Sequence, residues 1–254
     1  MPVLLETKKL TKHFGGLAAI QDLDLVVNKG EVVSLIGPNG AGKSTFFSLV
    51  TGFLHPSKGF VMFNGENISG LPPHKIAKKG MVRSFQLVSL ITKCSALENV
   101  SLAFHLNTGI GFWETWLHTP SSKKKEMDIL REAVELLDFV GMAGMQNELA
   151  GNLSLGYQKM LSIAMHLAAS PKLLLLDEPT AGMSARETDT TIRQLGKVRD
   201  RGVTMMVVEH DMRVVMSFSD RIIVLNYGHK IAEGSPYEIQ NNKQVIEAYL
   251  GTEQ

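Results

Sequence analysis

The hydrophobic positions of this chain follow two rhythms that alternate along its length. Leu23, Leu25 and Val27 alternate with Asp24 and Val26, the period of a strand with one face more buried than the other. Leu4 to Leu10 and Ala19 to Val27 read as strands, and Glu31 to Ile36 as a short apolar strand ending at Gly37. Thr45 to Val50 reads as the first turns of a helix. Gly59 to Phe63 reads as a strand closed by the turn Asn64-Gly65. Leu71-Pro72-Pro73 breaks the chain before a short helix, His74 to Lys79, and a strand, Val82 to Phe85. From Thr92 to about Ser170 the strand signals vanish. Met127, Leu130, Val134 and Leu137 fall three and four apart, one helical stripe, and Gly141 and Gly144 end it. Gly109 to Lys125, rich in Gly, Trp, Ser, Pro and Lys, reads as a partly helical surface insertion. Trp113 and Trp116 share a helix face there, packed on the helical lobe or offered to a partner.

Beyond Pro171 the strand rhythm returns. Leu173 to Leu176 is unbroken leucine, as in a strand buried on both faces, and Val203 to Val208 is a second one. Thr188 to Arg201 is helical. Ile222 to Leu225, Tyr227-Gly228 and Lys230-Ile231 form a hairpin, and Asn241 to Leu250 a final helix. Buried strands separated by helices predict a sheet covered on both sides. The fold class is therefore α/β, a core of residues 1–91 and 171–254 with a helical lobe, 92–170, inserted into it.

Composition narrows the function classes. Of 254 residues, 44% are hydrophobic, enough for a sizeable core. The net charge of +1 predicts no polyanion partner, so no nucleic acid is expected. A single cysteine, Cys94, fits a reducing compartment and an ordinary packing role. Met1 to Lys9 is too charged for a signal peptide. No apolar run approaches the ~20 residues of a membrane helix, so at a membrane other chains must do the spanning.

Gly37-Pro38-Asn39-Gly40-Ala41-Gly42-Lys43-Ser44-Thr45 fits the pattern G-x-x-x-x-G-K-[ST], placed after a strand and before a helix. Glycines let successive N–H groups point inward, and the helix start adds its own, which makes a cradle for phosphates. Lys43 carries charge to the outer phosphates, and the Ser44 hydroxyl suits Mg²⁺. The loop identifies a nucleoside triphosphate without choosing among kinases, GTPases, helicases and transport motors.

Leu173-Leu174-Leu175-Leu176-Asp177-Glu178 delivers two carboxylates at a strand's C-terminal end, where open α/β sheets bind ligands. Asp177 would hold Mg²⁺, mainly through its waters. Glu178 is left to take a proton from the attacking water. Gln86, after the strand Val82 to Phe85, offers an amide to metal or water. His210 follows the second buried strand and can reach a terminal phosphate. Glu209 and Asp211 flank it as orienting or solvated groups. The other histidines lack metal-ligand spacing.

Asn152-Leu153-Ser154-Leu155-Gly156-Tyr157-Gln158-Lys159 precedes an apolar helix, Met160 to Ala169. Ser154 is placed to cap it and Gly156 to allow close backbone approach. This is a second phosphate-binding surface, yet it lies in the helical lobe. The economical reading is that Ser154 of one subunit faces the ATP held by Lys43 of another.

In this order the motifs resemble those of the ATP-binding subunits of ABC transporters. Phe14-Gly15-Gly16-Leu17, Arg83-Ser84-Phe85-Gln86, Val208-Glu209-His210-Asp211-Met212, Ile231-Ala232-Glu233-Gly234 and Val245-Ile246-Glu247-Ala248-Tyr249-Leu250-Gly251 are similar to the branched-chain amino acid importers in particular. Relatives carrying urea or short amides share much of the pattern, and lipid exporters share every catalytic residue. A non-transport ATPase acting on nucleic acid would carry long coiled-coil insertions or two cassettes, which are absent here. The resemblance implies a phosphate-loop NTPase core with an antiparallel β subdomain and a helical signature lobe. It implies Phe14 as the ring stacked on adenine, and catalytic roles for Gln86 and His210. It implies ATP and Mg²⁺ as cofactors and a head-to-tail dimer. Two permease subunits and an extracytoplasmic substrate-binding protein would complete the complex, with this chain on the cytoplasmic face of the membrane. Two departures stand out. Leu155 and Tyr157 replace a glycine and a glutamine of the family's commonest signature, and Ser184 stands where many relatives have aspartate. Ser184 can still hydrogen-bond across a dimer, without charge.

Overall fold

The computed structural model describes residues 2–84, 90–108 and 120–250, so Gln86, Trp113 and Trp116 lie outside the described residues. The chain folds into two compact units: Met1–Arg83 with Lys172–Pro179 and Gly196–Gln254, and Ser84–Pro171 with Thr180–Leu195.

The first unit holds two sheets. Strands β1 (Val3–Phe14), β2 (Leu17–Asn28), β4 (Lys58–Phe63) and β5 (Glu66–Asn67) make an antiparallel sheet in the order β2-β1-β4-β5. Strands β3 (Val32–Ile36), β6 (Met81–Arg83), β7 (Leu173–Asp177), β8 (Thr204–Val208), β9 (Arg221–Asn226) and β10 (His229–Gly234) make the other, in the order β10-β9-β3-β8-β7-β6. Its neighbours run parallel except β9 and β10, which form the expected hairpin. Tyr227 and Gly228 both take positive φ, 44° and 78°, the two-residue turn whose twist matches the strands.

Side chains alternate across the parallel sheet and meet a core on either side. Val33, Leu35, Leu173, Leu175, Met206, Val208, Ile223 and Leu225 share one cluster with Phe46 and Phe47 of α1 (Lys43–Val50) and with Leu5, Leu10, Ile20 and Leu25 of the antiparallel sheet. Ile36, Ile222 and Val224 pack oppositely, against Val215 of α7 (Met212–Phe218), Ile239 of α8 (Pro236–Gln240) and Val245 of α9 (Lys243–Leu250). Burial on both faces is the reason β7 and β8 are hydrophobic without alternation. In β2, where Leu23, Leu25 and Val27 are buried and Asp24 is exposed, the expected alternation holds.

The short helix α2 (Pro73–Lys78) follows the proline break. The second unit contains α3 (Ala96–Thr108), α4 (Pro120–Phe139), α5 (Leu155–Leu167) and the start of α6 (Ala185–Asp200). The stripe on α4 differs from expectation. Met127 is 70% exposed and Leu130 40%, whereas Ile129, Ala133 and Leu137, with Val140 just past the helix end, are buried. Two apolar stripes overlap on this helix and share Leu137; the smaller residue, Ala133, sits on the one that packs closely. Helix α5 begins five residues before the predicted Met160, since Leu155 and Gly156 already lie in its first turn. The predicted final helix is found as α9, and a further short helix, α8, precedes it, where Ser235 and Glu238 cap a separate turn at Pro236.

Candidate nucleotide site

The turn between β3 and α1 has its curvature imposed by its neighbours. A Cβ on Gly37, at φ +150°, would sit 2.1 Å from the Leu225 carbonyl oxygen; one on Gly42, at φ +106°, would sit 2.6 Å from that of Ala19. Ala41 is buried and its carbonyl accepts from the Gly228 N–H at 3.0 Å, while Asn39 and Gly40 are exposed. Helix α1 starts at Lys43 with no side-chain cap and no acid in its first turn. Its leading N–H groups and the positive end of its dipole are thus offered to an anion. Ser44 is exposed and Thr45 half-buried at that end. Lys43 is buried and donates to the carbonyls of Gly37 at 2.6 Å and Pro38 at 3.0 Å. Burial holds its pKa below the ordinary lysine value, partly offset by the carboxylates of Glu178 and Asp177.

Because β3, β6, β7 and β8 are parallel, their C-terminal ends share the edge of the sheet where this loop lies. Asp177 ends β7, buried, and Arg83 Nη2 donates to its Oδ2 at 2.8 Å. Arg83 also donates to Ser48 Oγ at 3.2 Å and lies over the Phe47 ring, 5.4 Å from its centroid. Glu178 takes φ +50°, a left-handed conformation that costs of order 1 kcal/mol in a non-glycine residue. Its N–H donates to the Val208 carbonyl at 2.8 Å, which fixes the turn and aims the side chain at the end of β8. There His210 Nε2 lies 3.0 Å from Glu178 Oε1. Buried Glu209 accepts from the His210 N–H at 3.0 Å, and Asp211 caps α7 by accepting from the Arg213 N–H at 2.9 Å. Phe14, at the end of β1, is 48% exposed, with Lys12 Nζ 5.2 Å from its ring centroid.

In the second unit Ser154 occupies the N-cap position of α5, but its hydroxyl does not cap the helix. It donates instead to Glu187 Oε1 at 3.2 Å. Glu187 Oε2 accepts from Ser184 N at 3.0 Å and Ser184 Oγ at 2.8 Å. Gly156 is buried, and Leu155 and Tyr157 are exposed by 42% and 37%.

Arg83 and Glu187 were not singled out from sequence. The signals were present: a lone charge ending the strand Met81–Arg83, and the spacing Ser184-x-x-Glu187, which announces a helix start.

A profile described as ABC transporter matches residues 20–181, well over half of the chain. The chain belongs to the ABC transporter family. A second profile, branched-chain amino acid ATP-binding cassette transporter, matches residues 229–254. The chain is 43% identical over 249 residues to the high-affinity branched-chain amino acid transport ATP-binding protein BraF of Pseudomonas aeruginosa, covering 98% of each. It is 40% identical, with the same coverage, to LivG of Escherichia coli, which bears the same description. A crystal structure of the ADP conformation of an ATP-binding cassette superposes with TM-score 0.86 at 29% identity, covering 99% of this chain and all of that one. A dimeric post-hydrolysis cassette bound to ADP and phosphate gives TM-score 0.76 at 27% identity, covering 92% and 99%. The resemblance read from the motifs is borne out, and so is the ABC-type α/β fold. This cassette is an ATPase of the transport family and binds adenine nucleotides. Among the described residues no helix is long and apolar enough to cross a membrane.

Proposed function

We propose that this cassette hydrolyses ATP in a head-to-tail dimer and thereby powers high-affinity uptake of branched-chain amino acids through membrane-spanning permease subunits. The cargo rests on the branched-chain amino acid transport role of the relatives and on the match of the C-terminal segment. The catalytic reading rests on one observation above the others: Glu178, held by His210 at 3.0 Å, stands beside Asp177 on the sheet edge that carries Lys43.

In this reading Phe14 stacks on adenine. The N–H groups from Asn39 to Thr45 surround the phosphates, and Lys43 exchanges its loop carbonyls for phosphate oxygens. Ser44 and Asp177 supply hard oxygen donors, the chemistry Mg²⁺ selects, and Gln86 would join them. The fit is supported by Arg83, since a cation already rests against the Asp177 carboxylate. Mg²⁺, when bound, neutralises phosphate charge. Glu178 accepts a proton from the attacking water as the bond from the γ-phosphorus to the bridging oxygen breaks, giving ADP and phosphate. His210 keeps Glu178 oriented and donates to the γ-phosphate. Ser154, Leu155, Gly156 and Tyr157 of the second subunit close the site, and Ser184 hydrogen-bonds across the dimer. The second subunit is identical or similar. Two permease subunits hold the cassette at the cytoplasmic face, and an extracytoplasmic binding protein delivers the cargo.

The decisive test combines Glu178→Gln with transport. The variant should bind ATP normally, lose nearly all hydrolysis, and accumulate as an ATP-bound dimer by light scattering. Wild-type turnover would remove Glu178 as the base. In reconstituted vesicles the assembled complex should take up labelled leucine only with ATP; uptake of another solute class in its place would refute the cargo.

A further inference from the structure

Among the described residues the spacing Ser-x-x-Glu occurs at three helix starts, and the carboxylate behaves differently at one of them. At Ser95 and Glu98, before α3, Glu98 accepts from Ser95 N at 2.6 Å and Glu98 N donates to Ser95 Oγ at 3.2 Å. At Ser235 and Glu238, before α8, Glu238 accepts from Ser235 N at 2.7 Å and Oγ at 2.8 Å. Both are self-contained reciprocal caps. Ser184 and Glu187 make the same box at the start of α6, but Glu187 also reaches a second helix. Its Oε1 accepts from the Ser154 hydroxyl at 3.2 Å, and a Cβ on Gly156 would lie only 3.0 Å from that same oxygen. Hydrogen bonds from Ser184, with lesser contributions from Ser154 and the Gly156 N–H, hold the Glu187 carboxyl below its ordinary pKa despite some desolvation. The absence of a side chain at Gly156 is therefore used, within this chain, by a carboxylate.

We propose that Glu187 is a resident anion at the start of α5, engaging the hydroxyl that the partner subunit's ATP would otherwise take, so that dimer closure requires its carboxylate to withdraw. This rests on the trans role of Ser154 and Gly156 in the function proposed above. The chemistry is competition between like charges. Ser154 has one hydroxyl proton to donate, and the uncapped start of α5 favours a single anion. A carboxylate and a terminal phosphate at that hydroxyl repel each other, so occupancy by one excludes the other. Glu187 therefore acts as a positioning residue that keeps the signature serine occupied while no nucleotide-loaded partner is present, and raises the ATP level at which two cassettes close. Its anchorage to Ser184 gives the carboxylate a place to stay after release: the bonds to Ser184 N and Oγ hold without Ser154.

The test uses the full chain in the Glu178→Gln background, where ATP-bound dimers persist, with and without Glu187→Gln. Glutamine keeps an acceptor for Ser184, so the α6 cap survives while the charge is lost. Half-dimerisation, followed by sedimentation velocity against ATP concentration, should fall about tenfold, as expected if the open signature site is populated roughly one-tenth of the time in the parent. ATP affinity of the dilute monomer should not change. Glu187→Ala, which also removes the cap, should shift the half-point the same way while lowering the melting temperature. A half-point unchanged or raised in both variants would overturn the proposal and leave Glu187 a helix cap alone. If the Glu178→Gln parent itself stays monomeric at saturating ATP, the head-to-tail dimer fails first and this inference with it.

Discussion

Arg83→Gln removes the cation from a buried carboxylate, and its consequences divide between stability and metal response. The side chains of Arg83 and Asp177 are 10% and 5% exposed, so solvent screens this pair little. Truncating one partner of a buried ion pair costs about 3 kcal/mol at the low end of its range, since the other charge stays in a poorly solvating place. The lost contacts with Ser48 and the face of Phe47 act in the same direction. For a chain of this size 1 kcal/mol moves the melting temperature by roughly 2–4 °C, so the nucleotide-free variant should melt about 6–12 °C lower. Metal changes the comparison. If Asp177 is where Mg²⁺ acts, the ion restores a positive charge in the variant, whereas in the parent it must compete with Arg83. Thermal melts with ATP alone and with ATP plus Mg²⁺ should therefore show a larger Mg²⁺-dependent rise in the variant, closing at least half of the gap. Arg83→Lys, which keeps charge but not the planar contact, should fall between. A drop under about 2 °C would refute the energetic reasoning, and a gap indifferent to Mg²⁺ would refute the link between Arg83 and the metal.

Lys43→Ala should abolish measurable ATP binding by fluorescence titration while leaving the melting temperature of the free chain within a few degrees, because burial already disfavours the charged amine. Gly42→Ala places a methyl 2.6 Å from the Ala19 carbonyl at φ +106° and should destabilise the chain by about 1–3 kcal/mol in urea unfolding, with weaker ATP binding in proportion. Glu31, hydrogen-bonded to Arg221 at 2.6 Å, has its pKa lowered although burial alone would raise it. A lowered carboxylate adds stability above its unfolded pKa and loses it as pH falls through the folded one, so Glu31→Gln should flatten the stability profile below about pH 4.5 and cost most near neutrality.

The sheet was legible where burial leaves one solution. Four consecutive leucines before Asp177 have no helical face to choose, and an unbroken apolar run of that length suits a strand covered twice. The phosphate loop was legible because Gly37 and Gly42 have conformations and neighbours that admit little else. The stripe on α4 was not, since two overlapping sets of apolar positions compete and tertiary contact selects the set with alanine. Helices α7 and α8 escaped notice because each is under two turns and is set by its cap, Asp211 or Ser235, more than by periodicity. At the site, residue types pointed to Lys43, Asp177 and Glu178, but their present partners did not follow from spacing. Arg83 and Asp177 are 94 positions apart, and only the pairing of β6 with β7 brings them together.

Those partners share a logic. Lys43 rests on two carbonyls of its own loop, Asp177 on Arg83, Glu178 on His210, and Ser154 on Glu187. Each of these four groups already holds a substitute of suitable polarity. Buried charge without such a substitute would be costly, so a site for a highly charged ligand must either bind water, shift its pKa values, or carry internal counter-groups. This chain uses the last route for Asp177, and uses burial against charge for Lys43. The consequence is that affinity for nucleotide is a difference between new contacts and surrendered ones. Substituting a resident partner and substituting the ligand-facing group should then have opposite effects on binding: Arg83→Gln and Glu187→Gln strengthen the response to Mg²⁺ and to ATP-driven closure, while Lys43→Ala and Ser154→Ala weaken theirs. Same-sign changes across both sets would mean that the internal contacts support the bound state as well, and that exchange of partners is not how this site opens.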